Sequence, residues 1–329
     1  KLKIRDVHKK HARELPEKHL MKLIINSFVG FDDYESGDRL VHVSDAYAIL
    51  DKIPWIQPLL ELVSNAGKFD VFFDFNREST ELLDPTTDAY TNGQFYLSGV
   101  VYVAAKHLLD PERKFEAIGV LAHELCHFAM FLVYQNMAKP YKIGDQGAEQ
   151  VFTGIVNECK KNMVVENIIF YVYDCYDDDF WHAELIVRVP HMLAHFFNDP
   201  ARILVLREKF PLLFDHYELV VLPQVSAAIP VIKKLTEDPN SIKWEDLTLQ
   251  LQAAVKHGKV NFQGKNKPLR EIVGDDSTAY DKLSSEQILK LLKNKEVKIS
   301  ELVENSSKFF MERNLINESF YETFHPLDT

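Results

Sequence analysis

Between Val120 and Phe131 the chain runs Val-Leu-Ala-His-Glu-Leu-Cys-His-Phe-Ala-Met-Phe, an apolar stretch with no Gly or Pro. Such a run is too long for one strand and reads as a helix buried on most sides. The polar side chains it takes inside are His123, Glu124 and His127. On a helix, residues i and i+4 lie one turn apart on one face, so His123 and His127 can present imidazole nitrogens to a single ion. Glu124 then reaches a water at that ion without being a ligand. The plainer reading is a core helix with two satisfied histidines. It is disfavoured, because a buried His-Glu-His cluster without an ion is costly to satisfy.

Composition narrows the classes. The chain has 329 residues, 46% of them hydrophobic, enough for two or three packed units. A formal net charge of -11 and the lack of any Lys/Arg-rich block argue against a nucleic-acid partner. No uninterrupted run of about 18 apolar residues occurs, so no membrane span is expected. Cys126, Cys159 and Cys175 are too few for a disulfide framework, which points to a reducing, cytoplasmic setting. Asn305-Ser-Ser and Asn317-Glu-Ser match the glycosylation pattern and are read as chance. The chain opens on Lys1 and shows no signal-peptide pattern, so a processed or excised portion of something longer is expected.

The fold expected is α+β and predominantly helical, with a short mixed sheet and a small C-terminal α+β unit. Apolar spacing predicts helices over Pro16 to about Phe28, from Ser44-Asp45, over Ile53 to Val63, over 146–173, and at about 199–208 and 212–236. Asp32 to Asp38 reads as a solvated acidic loop. Val71–Phe75 and Gly99–Ala104 read as strands, the second preceded by the turn-rich Tyr90-Thr91-Asn92-Gly93. Asp110-Pro111 predicts the start of the helix that carries the histidines and runs to about Tyr134. Lys139 to Asp145 reads as a loop and Asp174–Asp179 as an acidic break. Past Asp238, a helix over Ile242–His257, strands at Val260–Gln263 and Glu296–Ile299, and a helix over Ser284–Asn294 are expected. The divisions drawn are 1–108, 109–236 and 237–329.

With its apolar flanks, His123-Glu124-Leu125-Cys126-His127 resembles the active-site helix of the His-Glu-x-x-His zinc metallopeptidases, the zincins. The resemblance covers roughly residues 95–200. It implies Zn2+ on His123 and His127, Glu124 as general base, and an open position on the metal. It also implies that the strand before the helix, Gly99–Ala104, is the edge strand that pairs with an extended peptide, although an ordinary core strand reads equally well. A third ligand must come from downstream. No His follows at the short metzincin spacing, which leaves the gluzincin class, where a later helix supplies a Glu.

Glu149, Glu158, Glu166 and Glu184 compete for that place. Glu158, in Asn157-Glu158, resembles the Asn-Glu element of thermolysin-type enzymes, but Lys160 and Lys161 suggest a solvent-facing stretch. Glu184 opens the apolar Glu-Leu-Ile-Val-Arg run, with Arg188 one turn on to hold its carboxylate. This is similar to the small gluzincins and to the catalytic domain of anthrax lethal factor. Glu184 is preferred, Glu158 is the rival, and Glu149 and Glu166 are read as surface acids. By the same resemblance Tyr176 is the oxyanion donor, with His191 and His195 as rivals. Cys126 is expected to point into the core.

The expectation is therefore a monomeric zinc metallopeptidase acting on a peptide or protein. The alternatives are a zinc-binding regulatory or scaffold module without turnover, and a non-peptidase zinc amidohydrolase.

Overall fold

The computed structural model describes residues 9–10, 16–29, 36–66, 68–78, 89–94, 98–136, 146–238, 259–274 and 283–297. Its elements are α1 (Lys18–Ile25), β1 (Ser27–Val29), α2 (Ser36–Leu50), α3 (Gln57–Ser64), β2 (Lys68–Asp74), β3 (Ala89–Gln94) and β4 (Ser98–Ala104). A 3-10 turn at Lys106–Leu109 leads into α4 (Lys114–Asn136) and α5 (Gln146–Asn162). Then come α6 (Asn167–Cys175), α7 (Asp178–His195), α8 (Pro200–Lys209), α9 (Pro211–His216) and α10 (Leu222–Glu237), the last two joined by a π-helical turn. The remainder is β5 (Lys259–Phe262), β6 (Lys265–Pro268), α11 (Leu269–Val273) and α12 (Ser285–Asn294). The protein is predominantly helical with a small sheet.

The four-stranded sheet has the order β1-β2-β4-β3. β1 and β2 are parallel, with Phe28 opposite Phe72 and their rings stacked at 5.1 Å. Parallel neighbours need a crossover, and here α2 and α3 supply it. Phe28, expected at the end of a helix, therefore lies in a strand, and α2 begins at Ser36 instead of Ser44. β4 is an interior strand, flanked by β2 and β3. The edge position expected for Gly99–Ala104 is thus corrected: the turn-type residues Tyr90–Gly93 form the strand β3, which covers that side.

Two bonds lead from the sheet towards α4. Tyr102 donates its hydroxyl to Asp74 Oδ2 at 2.8 Å, joining β4 to β2, and the Ala105 N–H donates to the Asp74 carbonyl at 2.7 Å. The 3-10 turn then brings His107 Nδ1 to 2.9 Å from Glu116 Oε2 in the first turn of α4. The helix starts at Lys114, after Asp110 has accepted the Glu112 N–H in a preceding turn. α4 is buried almost all round, through Ala117, Leu121, Leu125, Phe128, Ala129, Leu132 and Val133. It packs most extensively against α7.

The helix expected over 146–173 is broken at Glu166. That carboxylate caps α6 by accepting the Ile168 N–H and pairs with Arg202 at 2.5 Å. Glu166 is therefore a buried structural acid and not a surface one. Among the described residues, two helical stretches are apolar and long enough to cross a membrane by composition: Lys114–Val133, mostly buried as core, and Pro211–Glu237, mostly not. Each carries a few charged residues, so neither shows as an uninterrupted apolar run.

Contacts divide the chain into two units. One is Lys1–Asn65, Phe69–Asn92 and Val100–Pro230; the other is Ala66–Lys68, Gly93–Gly99 and Val231–Thr329. The sheet-rich and helical stretches on either side of residue 108 thus fall mostly in one unit. In the second, β5 and β6 form an antiparallel hairpin whose turn, Gln263-Gly264, has positive φ at both positions. That pair of angles is the type I′ geometry that matches strand twist. α12 begins with a capping box between Ser284 and Gln287. Glu296, expected in a strand, instead closes the turn that follows α12, with φ 54, and Val297 after it is in no regular element. Residues 137–145, the helix expected over 242–257, and residues from 298 on lie outside the described residues.

Candidate metal centre

α4 contributes His123, Glu124 and His127, and α7 contributes Glu184. The two imidazole Nε2 atoms are 3.1 Å apart. Glu184 lies across both, with Oε1 at 3.2 Å from His127 Nε2 and Oε2 at 3.5 Å from His123 Nε2. These three side chains form a group that could hold a metal ion. The Glu124 carboxylate stands beside it, 3.9 Å from His123 Nε2, and is buried. Side-chain exposure falls from 25% at His127 to 11% at Glu184 and 2% at His123, so the group opens to solvent on the His127 side.

The electrostatics suit ligation. Burial, and then the nearby Arg188 charge, push the His123 pKa down to about 3, so its ring is neutral with a lone pair to offer. Burial works to raise Glu184, but His127 and His123 outweigh it and hold the carboxyl well below the usual carboxylate range. Burial likewise works against a charged His127, yet the Glu184 charge and hydrogen bond raise its pKa overall.

The α7 side of the site is a polar stripe in an apolar helix. Glu184, Arg188, His191 and His195 recur at one face, between the buried Leu185, Ile186, Val187, Val189 and Met192. Arg188 is fully buried, with Nη2 3.9 Å from Glu184 Oε2, too long for a hydrogen bond. The His191 ring stacks edge-on to His123 at 5.7 Å between centroids and lies against Gly119 on α4. Burial and the Arg188 charge hold His191 neutral as well.

Tyr176, the residue just after α6, is drawn into the same group. Its side chain stands near the Glu184 carboxylate, and burial, followed by that negative charge, raises its pKa. Its carbonyl accepts the Trp181 indole N–H at 2.9 Å, which anchors the turn into α7. Cys126 faces the core, where burial pushes its thiol pKa up.

The rival ligand Glu158 is engaged elsewhere. Its two carboxylate oxygens accept the Leu212 and Leu213 N–H groups at 3.0 and 3.1 Å, capping α9 from a neighbouring helix. The Glu149 side chain lies outside the described residues. Sequence reasoning assigned no role to Gly119, which admits the His191 ring. Its one visible signal is its place a single turn before His123.

Comparison with known proteins gives no match to any protein-family model, curated protein or solved structure.

Proposed function

We propose that the chain is a zinc-dependent peptidase of the gluzincin type, acting on a peptide or protein substrate. One observation carries the reading: the spacing of the candidate ligand atoms. A tetrahedral Zn2+ with ligand distances of about 2.0–2.1 Å sets its ligand atoms about 3.3 Å apart. The three edges here are 3.1, 3.2 and 3.5 Å, the last two reaching different oxygens of Glu184. Two nitrogens and a carboxylate are also the donor set of a catalytic zinc, which keeps a fourth position open.

Zinc, when bound, supplies a Lewis acid that polarises the peptide carbonyl and acidifies water. The residues do the rest. Glu124 takes a proton from the attacking water and returns it to the departing amine, so one carboxylate serves as base and then acid. Tyr176 keeps its proton well above neutral pH, so its O–H can donate to the oxyanion that develops on the carbonyl. β4 is interior, so substrate does not add to it by backbone pairing.

The test is Glu124→Gln. The variant is expected to bind zinc one to one by elemental analysis while losing hydrolysis of a mixed peptide library. Hydrolysis comparable to wild type would refute the role of Glu124, and a wild-type chain that takes up no zinc would refute the whole reading.

A further inference from the structure

We propose that the seam between α4 and α7, behind the metal group, binds a small monovalent anion such as chloride, held by the Arg188 guanidinium and His123 Nδ1–H. The inference rests on reading His123, His127 and Glu184 as a zinc site.

The first observation is Arg188 itself. It is fully buried, and Nε, Nη1 and Nη2 all lack a hydrogen-bond acceptor among the described residues. A buried guanidinium without acceptors is costly, and its nearest carboxylate oxygen stands 3.9 Å away. The second observation is His123 Nδ1, buried and without a partner. His123 turns Nε2 towards the ligand group, so a His123 that ligates through Nε2 carries its one N–H on Nδ1. In most metal sites that N–H meets a carboxylate or carbonyl. Here α7 offers a cation in its neighbourhood. The third is His191 Nδ1, also buried and unpartnered, on the same stripe.

Counting donors decides what fills such a place. The guanidinium fork and His123 Nδ1–H are all donors, and the acceptors within the cluster are Glu184 Oε2 and, in one tautomer, His191 Nδ1. A water accepts about two hydrogen bonds and must donate its own two, so it leaves donors stranded. A spherical anion has no protons of its own to place, and it accepts from one edge of the fork and from His123 Nδ1–H together.

Charge points the same way. With Zn2+ in place, Glu124 and Glu184 cancel the metal, and the Arg188 charge is left over in a region closed to solvent. A single negative charge restores neutrality. The exposure gradient from His127 inward to the fully buried Arg188 argues for a small ion rather than a substrate carboxylate, which would have to pass the ligands. Because metal and anion relieve each other, each strengthens the binding of the other by the same factor.

The experiment measures zinc affinity by competition with a chromophoric chelator, in chloride and in gluconate at equal ionic strength, corrected for chloride complexes of free zinc. Wild type should bind zinc roughly tenfold more tightly in chloride, a typical coupling between linked sites. Arg188→Gln should bind zinc equally in both anions, and Arg188→Lys, which keeps the charge but loses the fork, should show a reduced chloride effect. Zinc bound with equal affinity in both anions by wild type would overturn the anion site and leave the zinc site standing. A chloride effect undiminished in both Arg188 variants would place the anion elsewhere and overturn it too. No zinc binding by wild type in either anion would sink the peptidase reading, and this inference with it.

Discussion

Gly119 lies directly beneath His191: a Cβ built on Gly119 would stand 2.7 Å from His191 Cδ2 and 3.2 Å from the His191 carbonyl oxygen. α4 therefore meets α7 without a side chain of its own one turn before His123, and the His191 ring fills that place. That closeness lets a carboxylate from α7 reach both imidazoles of α4. The metal group thus depends on a helix crossing as much as on its own ligands.

Gly119→Ala should separate the effects of propensity and packing. Alanine in a helix interior is favoured over glycine by about 1 kcal/mol. Overpacking a closed core costs about 1–3 kcal/mol, the His191 ring is buried, and the new methyl would also meet the His191 carbonyl oxygen at 3.2 Å. The expected outcome is a net loss of up to about 2 kcal/mol in urea unfolding, with zinc affinity reduced alongside. A variant as stable as wild type, with full zinc affinity, would show that the helices separate freely.

The two rival acids give opposite phenotypes. Glu184→Ala should abolish stoichiometric zinc. Glu158→Ala should keep zinc and lose stability by about 0.5–2 kcal/mol, the usual range for removing a helix cap. Glu158→Gln, which retains one carbonyl acceptor, should recover part of that loss. Elemental analysis beside denaturant midpoints on the same three proteins checks both halves.

Why one acid was readable and the other was not is a matter of range. The stripe Glu184, Arg188, His191, His195 interrupts an apolar helix with helical spacing, and that signal sits within one segment. Glu158 is satisfied by Leu212 and Leu213, and Glu166 by Arg202, partners that no local pattern announces. The same holds for the sheet. Val71–Phe75 and Gly99–Ala104 carry β-branched and aromatic residues and read as strands alone, whereas Tyr90–Gly93 has turn chemistry and is a strand only through its neighbour β4. Phe28 likewise continues a helical stripe in sequence, but pairing with Phe72 draws it into β1.

The buried histidines predict acid lability of the metal-free protein. His123, with its pKa lowered to about 3, and His191, also lowered well below its ordinary value, are neutral when folded and take up protons near pH 6.5 when unfolded. The unfolded state therefore binds more protons below that pH, so stability falls as pH drops from about 6.5 towards 3. Each such histidine contributes a slope of up to about 1.4 kcal/mol per pH unit. His127 is raised and opposes this only near neutrality. Urea midpoints in chelator at several pH values should show the decline. His191→Gln should reduce the slope by about one proton, and an unchanged slope would mean that His191 is charged in the fold.

Tyr176→Phe tests whether the hydroxyl beside Glu184 acts on the reaction or only on the ligand. Removing an oxyanion donor costs about 10²–10³ in kcat where that donor is aimed at the developing charge. The expected result is a fall of that order in kcat, KM nearly unchanged, and zinc retained at one per chain. The Tyr176 carbonyl that holds Trp181 is backbone, so the turn into α7 survives the substitution. If the hydroxyl serves only to orient Glu184, zinc affinity falls instead and kcat at saturating zinc recovers. The ratio of those two losses assigns the tyrosine.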